Sequence, residues 1–118
     1  MFLNNRGLAY YRMNKYSEAE TDLDRAIQLN PFEPVFFFNR GNVKHEKGLF
    51  EESLVDYDHA IEIEPTNPRY WHSKGLAYES KGTREMTEMA IEMYRHALKI
   101  DPKYFGSKYH LGLMLHQI

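Results

Sequence analysis

The sequence predicts an all-α chain made of repeated helix pairs, and three observations carry that expectation. Four glycines, Gly7, Gly41, Gly75 and Gly112, recur 34, 34 and 37 residues apart. Three prolines, Pro31, Pro65 and Pro102, keep the same 34 and 37 spacing. Between them, small and bulky apolar residues hold register: Ala19, Ser53 and Ala90, then Leu23, Tyr57 and Tyr94, then Ala26, Ala60 and Ala97. A fixed period of this length marks stacked units, each too small to bury its apolar face alone.

The elements follow in order. Each first helix centres on its glycine, with bulky residues on either side, as in Leu3, Gly7 and Tyr10 or Trp71, Gly75 and Tyr78. A mid-helix glycine costs about 1 kcal/mol against alanine, so its use is close approach of a neighbouring helix. Asn14, Gly48 and Gly82 then stand where a helix C-cap takes positive φ. The second helices show apolar residues at i, i+4 and i+7, as in Ala90, Tyr94 and Ala97. Ser17 with Glu20 reads as a capping box for the first of them. Proline closes each pair because it cannot continue a helix. The boundaries are expected at 1–33, 34–67 and 68–104, with a partial fourth repeat over 105–118, all in one array over 1–118. The third repeat carries three extra residues between Gly82 and Ala90. Three residues are close to one helical turn, so its second helix should be longer at the N-terminal end, starting near Thr83.

Composition excludes several classes. The 118 residues are 42% hydrophobic and 27% charged with a net charge of −2, which fits a folded chain and advertises no nucleic-acid partner. There is no cysteine, so disulfides and thiolate metal sites are out. No run of about 18 apolar residues predicts membrane insertion. There is no phosphate-binding glycine loop or nucleophile motif, and the chain is read as non-catalytic, with no cofactor. Six histidines invite a metal, but His110 and His116 are six apart and do not share a helix face as i, i+4 ligands would. No metal site is expected. Arg6, Arg40 and Lys74, each preceding a glycine, read as long stems covering apolar surface with their charge in water. Asp22 and Asp24 read as solvent-face charge.

On these glycines, tyrosines, alanines and prolines the chain resembles the tetratricopeptide repeat (TPR) family over essentially its whole length, most fully at Trp71, Gly75, Tyr78, Ala90, Tyr94, Ala97 and Pro102. Lys44, where Tyr10 and Tyr78 sit in their repeats, departs from the pattern, as does Lys108. The resemblance implies a right-handed superhelical solenoid whose first helices line a concave groove. It also implies an intracellular, cytoplasmic location. The groove residues would be Asn4, Asn5, Leu8, Tyr11 and Arg12; Phe38, Asn39, Asn42, His45 and Glu46; His72, Ser73, Leu76, Glu79 and Ser80; and Tyr109, His110, Leu113, His116 and Gln117.

Three adjacent phenylalanines then separate. Phe37 should pack on the second helix of its own repeat, Phe36 on a neighbouring repeat, and Phe38 should face the groove, either toward a ligand or buried by a neighbouring groove side chain. Asn5 and Asn39 hold equivalent places, each in the phrase Asn-Arg-Gly, and Asn42 lies one turn on. A carboxamide donates and accepts at once, so a row of them can hold a peptide backbone. This is similar to the asparagine ladders of TPR domains in O-GlcNAc transferase and kinesin light chain.

One TPR class clamps the C-terminal carboxylates of chaperones with lysine, arginine and two asparagines. The clamp positions here hold Asn4, Leu8, Asn39, Arg69 and Ser73, or Phe38, Asn42, Ser73, Gly106 and His110 in the other frame. Neither supplies the full cationic set that charge-assisted bonds need, so a clamp is not expected. The function read from the sequence is protein–protein recognition: a scaffold or adaptor holding a partner peptide of unstated identity. Two other readings stay open. One is a structural spacer or self-associating segment, since LGLMLHQI would offer an apolar face beyond which no capping helix is visible. The other is the substrate-selecting arm of a larger enzyme.

Overall fold

In the computed structural model, residues 1–115 are described. Among them are seven α-helices and no strand: α1 (Phe2–Arg12), α2 (Tyr16–Leu29), α3 (Pro34–Glu46), α4 (Phe50–Ile63), α5 (Pro68–Lys81), α6 (Arg84–Ile100) and α7 (Phe105–Leu115). The chain divides into two compact units, Met1–Glu64 with α1 to α4 and the remainder from Pro65 with α5 to α7. His116, Gln117 and the last residue of the apolar tail lie outside the described residues.

Turn chemistry sets the helix ends. Asn14, Gly48 and Gly82 take φ of 61°, 79° and 72°, the left-handed values their positions call for. Around the first two, Lys15 N–H donates to Tyr10 O at 2.8 Å and Leu49 N–H to Lys44 O at 2.9 Å, closing the same six-to-one turn. Pro34 and Pro68 open α3 and α5, where the missing N–H is no loss. Thr83 caps α6, its Oγ1 accepting from Met86 N–H at 3.2 Å. α6 therefore has 17 residues against 14 in α2 and α4, and the extra turn is at its N-terminal end.

The capping box at Ser17 and Glu20 does not form. α2 begins two residues earlier than a Ser17 cap would start it, at Tyr16, with Lys15 at the cap and no side-chain cap bond. The Tyr16 ring, 5.8 Å from Tyr11 and packed on Ala19, Leu23 and Val43, draws the helix start back. Glu20 instead pairs with Lys47 at 2.8 Å.

The glycines explain themselves by what faces them. A Cβ on Gly41 would lie 2.8 Å from the Tyr57 ring, and one on Gly75 would lie 2.5 Å from the Tyr94 ring. On Gly7 the nearest atom, of Leu23, would be 3.1 Å away, whereas around Gly112 nothing lies within 4 Å. The second helix thus presses its bulky residue into the glycine notch of the first in all three complete pairs.

Arg6 and Arg40 correct the sequence expectation. Asp22 and Asp56 are 2% and 1% exposed, and each takes a two-pronged arginine fork: Arg6 at 2.7 and 2.8 Å, Arg40 at 2.8 and 2.9 Å. Arg40 also reaches Asp24 at 3.0 Å. A buried carboxylate needs such partners, and bidentate geometry supplies them. Asp56 further explains Lys44 in a tyrosine's place, because Lys44 Nζ lies 3.2 Å from its Oδ2.

Candidate peptide-binding faces

In the first unit the candidate face is made by α1 and α3. Asn5 and Arg12 are exposed; Leu8, Tyr11, Asn42 and His45 are half-buried; Glu46 is exposed at the end of α3. Tyr57 O–H donates to Asn42 Oδ1 at 2.6 Å, fixing that amide from below. Burial, with smaller effects of Tyr11, Glu46 and Asp56, pushes the Tyr57 hydroxyl pKa well up. Burial, then Glu46 and Tyr16, likewise raises that of Tyr11. Both phenols remain donors at neutral pH.

The two asparagines expected as equal rungs are unequal. Asn5 is exposed, but Asn39 is 5% exposed and donates its Nδ2 to Asn4 Oδ1 at 2.8 Å, with Asn4 itself 3% exposed. α3 has α1 beside it and α1 has no helix on its other side within the unit, so equivalent positions meet different neighbours. The pair still keeps one unused function on each amide: Asn4 Nδ2 and Asn39 Oδ1. Among the described residues no buried side-chain nitrogen or oxygen lacks a partner, so both atoms remain reachable by solvent.

Phe38 is also corrected. It is 3% exposed with its ring 6.1 Å from Tyr57, so burial, the second of its two expected fates, is the one observed. Phe37 stacks on His59 of α4 at 4.9 Å, and Phe36 faces α1 and α2 across an apolar cavity of about 510 Å³ lined by Phe2, Leu3, Ala26 and Leu29. These two follow the expectation.

In the second unit the face is made by α5 and α7. Arg69 and Tyr109 are exposed, while His72, Ser73, Leu76, Glu79 and His110 are half-buried. His72 and His110, in the places of Asn4 and Asn39, bring their rings to 5.6 Å. Glu79 Oε1 accepts from Tyr94 O–H at 2.6 Å, and His110 Nδ1 lies 3.1 Å from it. A carboxylate only accepts, so His110 carries its proton on Nδ1. His72 Nδ1 pairs with the buried Ser107 hydroxyl at 2.8 Å. Burial, then the neighbouring His110, drives the His72 pKa down to about 4, so the ring is neutral at pH 7.

Tyr94 reaches Glu79 over 15 residues, as Tyr57 reaches Asn42, but the Glu79–Tyr94–His110 network was not visible in the sequence as a whole, because His110 joins it from a third helix 31 residues from Glu79. The arginine forks were visible in principle: Arg6 to Asp22 and Arg40 to Asp56 are both 16 residues apart. Among the described residues, no group of three or more metal-binding side chains is arranged to hold an ion, and no helix is long and apolar enough to cross a membrane.

Paired helices, glycine notches and proline closures together define a helical-repeat protein. Family profiles described as Tetratricopeptide repeat match residues 2–32 and 68–104, and one described as TPR repeat matches residues 41–82. The chain belongs to the tetratricopeptide repeat family. No curated protein matches the sequence. Solved structures do match its fold. The first TPR of Spaghetti (RPAP3) bound to HSP90 peptide SRMEEVD is 21% identical, covers 98% of this chain and 90% of that one, and has a TM-score of 0.89. The Arabidopsis OM64 TPR domain is 23% identical over 99% and 94%, at 0.88. The Yersinia enterocolitica type III secretion chaperone SycD, in complex with a peptide of the translocator YopD, is 15% identical over 98% and 91%, at 0.87.

Proposed function

We propose that this chain is a non-catalytic protein-interaction module of the cytoplasm that holds a partner's peptide segment on the first-helix faces of its repeats. The observation that carries the reading is the Asn4–Asn39 pair, which leaves one donor and one acceptor open at the floor of the α1–α3 face. A peptide unit offers the complementary acceptor and donor, so the pair fits backbone rather than side chain. Asn5 and Asn42 extend the polar row, Leu8 and Tyr11 supply apolar contact, and Arg12 and His45 form the rim. In the second unit Arg69, His72, Ser73 and Leu76 take the corresponding part; Phe38, being buried, takes none. Two of the structural neighbours were solved with bound peptides, which supports a peptide as the partner class. The clamp is not part of the proposal, since only Arg69 of its cationic set is present.

The test is selection of peptides from a random display library, followed by titration calorimetry of one selected peptide. Methylating a single backbone nitrogen of that peptide should weaken binding about tenfold, on the scale of a lost hydrogen bond with its partner stranded. Replacing the side chain at the same residue by alanine should change little. Unchanged affinity for a folded Leu8→Ser/Asn42→Ala protein would overturn the assignment.

A second reading, self-association through apolar edges, is favoured by Phe2, Leu29 and Phe32, which are 70%, 79% and 80% exposed. A light-scattering mass of one chain at high concentration would remove it.

A further inference from the structure

The three-residue insertion does more than lengthen α6. Together with the end of α7, the extended helix walls a groove of about 520 Å³, away from the α5–α7 face, whose floor is Met89, Ile91 and Leu115. Glu85, Glu88 and Glu92 line its rim, with Arg95 at one end. Glu85 sits on the extra turn: α2 and α4 begin at Tyr16 and Phe50, positions that correspond to Thr87, so those pairs have nothing in its place. Three carboxylates against one guanidinium leave the rim acidic. Arg84 neutralises Glu88 only weakly, at 3.6 Å between highly exposed side chains.

The carboxylates also carry a spacing. At 1.5 Å rise per residue, positions 85, 88 and 92 lie about 4.5 and 6 Å apart along one stripe of α6, a row of roughly 10 Å. Side chains one turn apart on a partner helix repeat at about 5.4 Å, whereas same-face residues of a strand repeat at about 6.6 Å. A helix laid along α6 therefore meets each carboxylate with one of its own residues, and its apolar stripe falls on the floor.

We infer that this groove is a second docking surface, distinct from the first-helix faces, and that its occupant is a basic amphipathic helix of a partner protein. Lysines or arginines one turn apart would face Glu85, Glu88 and Glu92. A leucine-type anchor between them would enter the floor beside Met89 and Leu115. The insertion adds Glu85 to a rim that Glu88 and Glu92 supply from the body of α6, and the rim selects the sign of the partner.

The test uses the whole chain and a fluorescent synthetic peptide of about 14 residues, four helical turns, with leucines on one face and lysines flanking them. Two control peptides accompany it, one with glutamate for every lysine and one with the same composition scrambled so that no apolar face forms. The lysine peptide should bind by fluorescence anisotropy, more weakly as salt rises, and both controls should bind far less. The Glu85→Gln/Glu88→Gln/Glu92→Gln protein should lose about tenfold in affinity, the scale that three exposed ion pairs reach together. Leu115→Ser, at an exposed position, should also weaken binding. Glu51→Gln/Glu62→Gln/Glu64→Gln, which makes the same change in net charge on exposed sites of the first unit, should leave it intact. Equal loss in the two triple variants would mean attraction to net charge alone and would overturn the proposal, as would equal binding of the scrambled peptide. Circular dichroism of each variant confirms that its helices are formed.

Discussion

Replacing the four repeat glycines one at a time by alanine sets two effects of opposite sign against each other. In a helix interior alanine is better than glycine by about 1 kcal/mol, and this gain is the same at every site. The steric cost differs. At Gly75 the new methyl would lie 2.5, 2.9 and 3.1 Å from three atoms of the Tyr94 ring. That ring is fully buried and its hydroxyl is tied to Glu79 at 2.6 Å, so it cannot step aside cheaply. Overpacking of this kind costs about 1–3 kcal/mol; with the 2.5 Å contact placing Gly75 at the upper end of that range, about 2 kcal/mol of net loss is left after the helix gain of about 1 kcal/mol. At Gly41 the clash with Tyr57 is milder, at 2.8 Å, and at Gly7 the nearest contact, with Leu23, is longer still at 3.1 Å. At Gly112 nothing lies within 4 Å, and the helix gain stands alone. Urea unfolding followed by circular dichroism should rank the variants with Gly112→Ala above wild type, then Gly7→Ala, Gly41→Ala and Gly75→Ala lowest. A Gly75→Ala protein as stable as wild type would refute the argument that these glycines exist for close helix approach.

Further predictions concern the buried charges, the histidines and the insertion. Arg40→Met strands Asp56 with only Lys44 and should cost about 3 kcal/mol in urea unfolding; Arg6→Met, at a side chain 40% exposed, should cost less. His72 should make stability depend on pH. Its folded-state pKa of about 4 lies below the ordinary 6.5, so the unfolded chain takes up the proton first. Stability is present above pH 6.5 and falls as pH drops from 6.5 to about 4. At 1.36 kcal/mol per pH unit the full interval is worth about 3 kcal/mol, and partial solvent contact of the ring lowers this to about 1–2 kcal/mol. His72→Asn, which copies Asn4, should flatten that part of the profile. Thr83→Ala removes the α6 cap and should cost about 1 kcal/mol by thermal melting.

Much of the fold was legible because backbone geometry forces residue choice. Only glycine tolerates a tyrosine ring at the distances seen around Gly41 and Gly75, and few residues other than Asn or Gly take the φ of Asn14, Gly48 and Gly82 at low cost. The extra turn of α6 was legible from the spacing and from Thr83. The site was less so. Asn4 and Asn39 lie 35 residues apart, and nothing in either local sequence says that one amide will be spent on the other. Ser17 has the composition of a cap but sits one residue inside a helix whose start is set by Tyr16 packing on the core. Phe38 illustrates the same limit: helical periodicity gives the direction of a ring, while its burial depends on partners distant in sequence.

The central claim, that peptides are held on the first-helix faces, is tested most directly by photo-crosslinking. A photoreactive phenylalanine analogue would be placed at Arg12, which is exposed beside Tyr11, and in a second protein at Val55, which is 55% exposed on α4. Each would be irradiated with a library-selected peptide and analysed by mass spectrometry. The account predicts a crosslink from position 12 that excess unlabelled peptide abolishes, and none from position 55. Efficient crosslinking from position 55 with none from position 12 would contradict it.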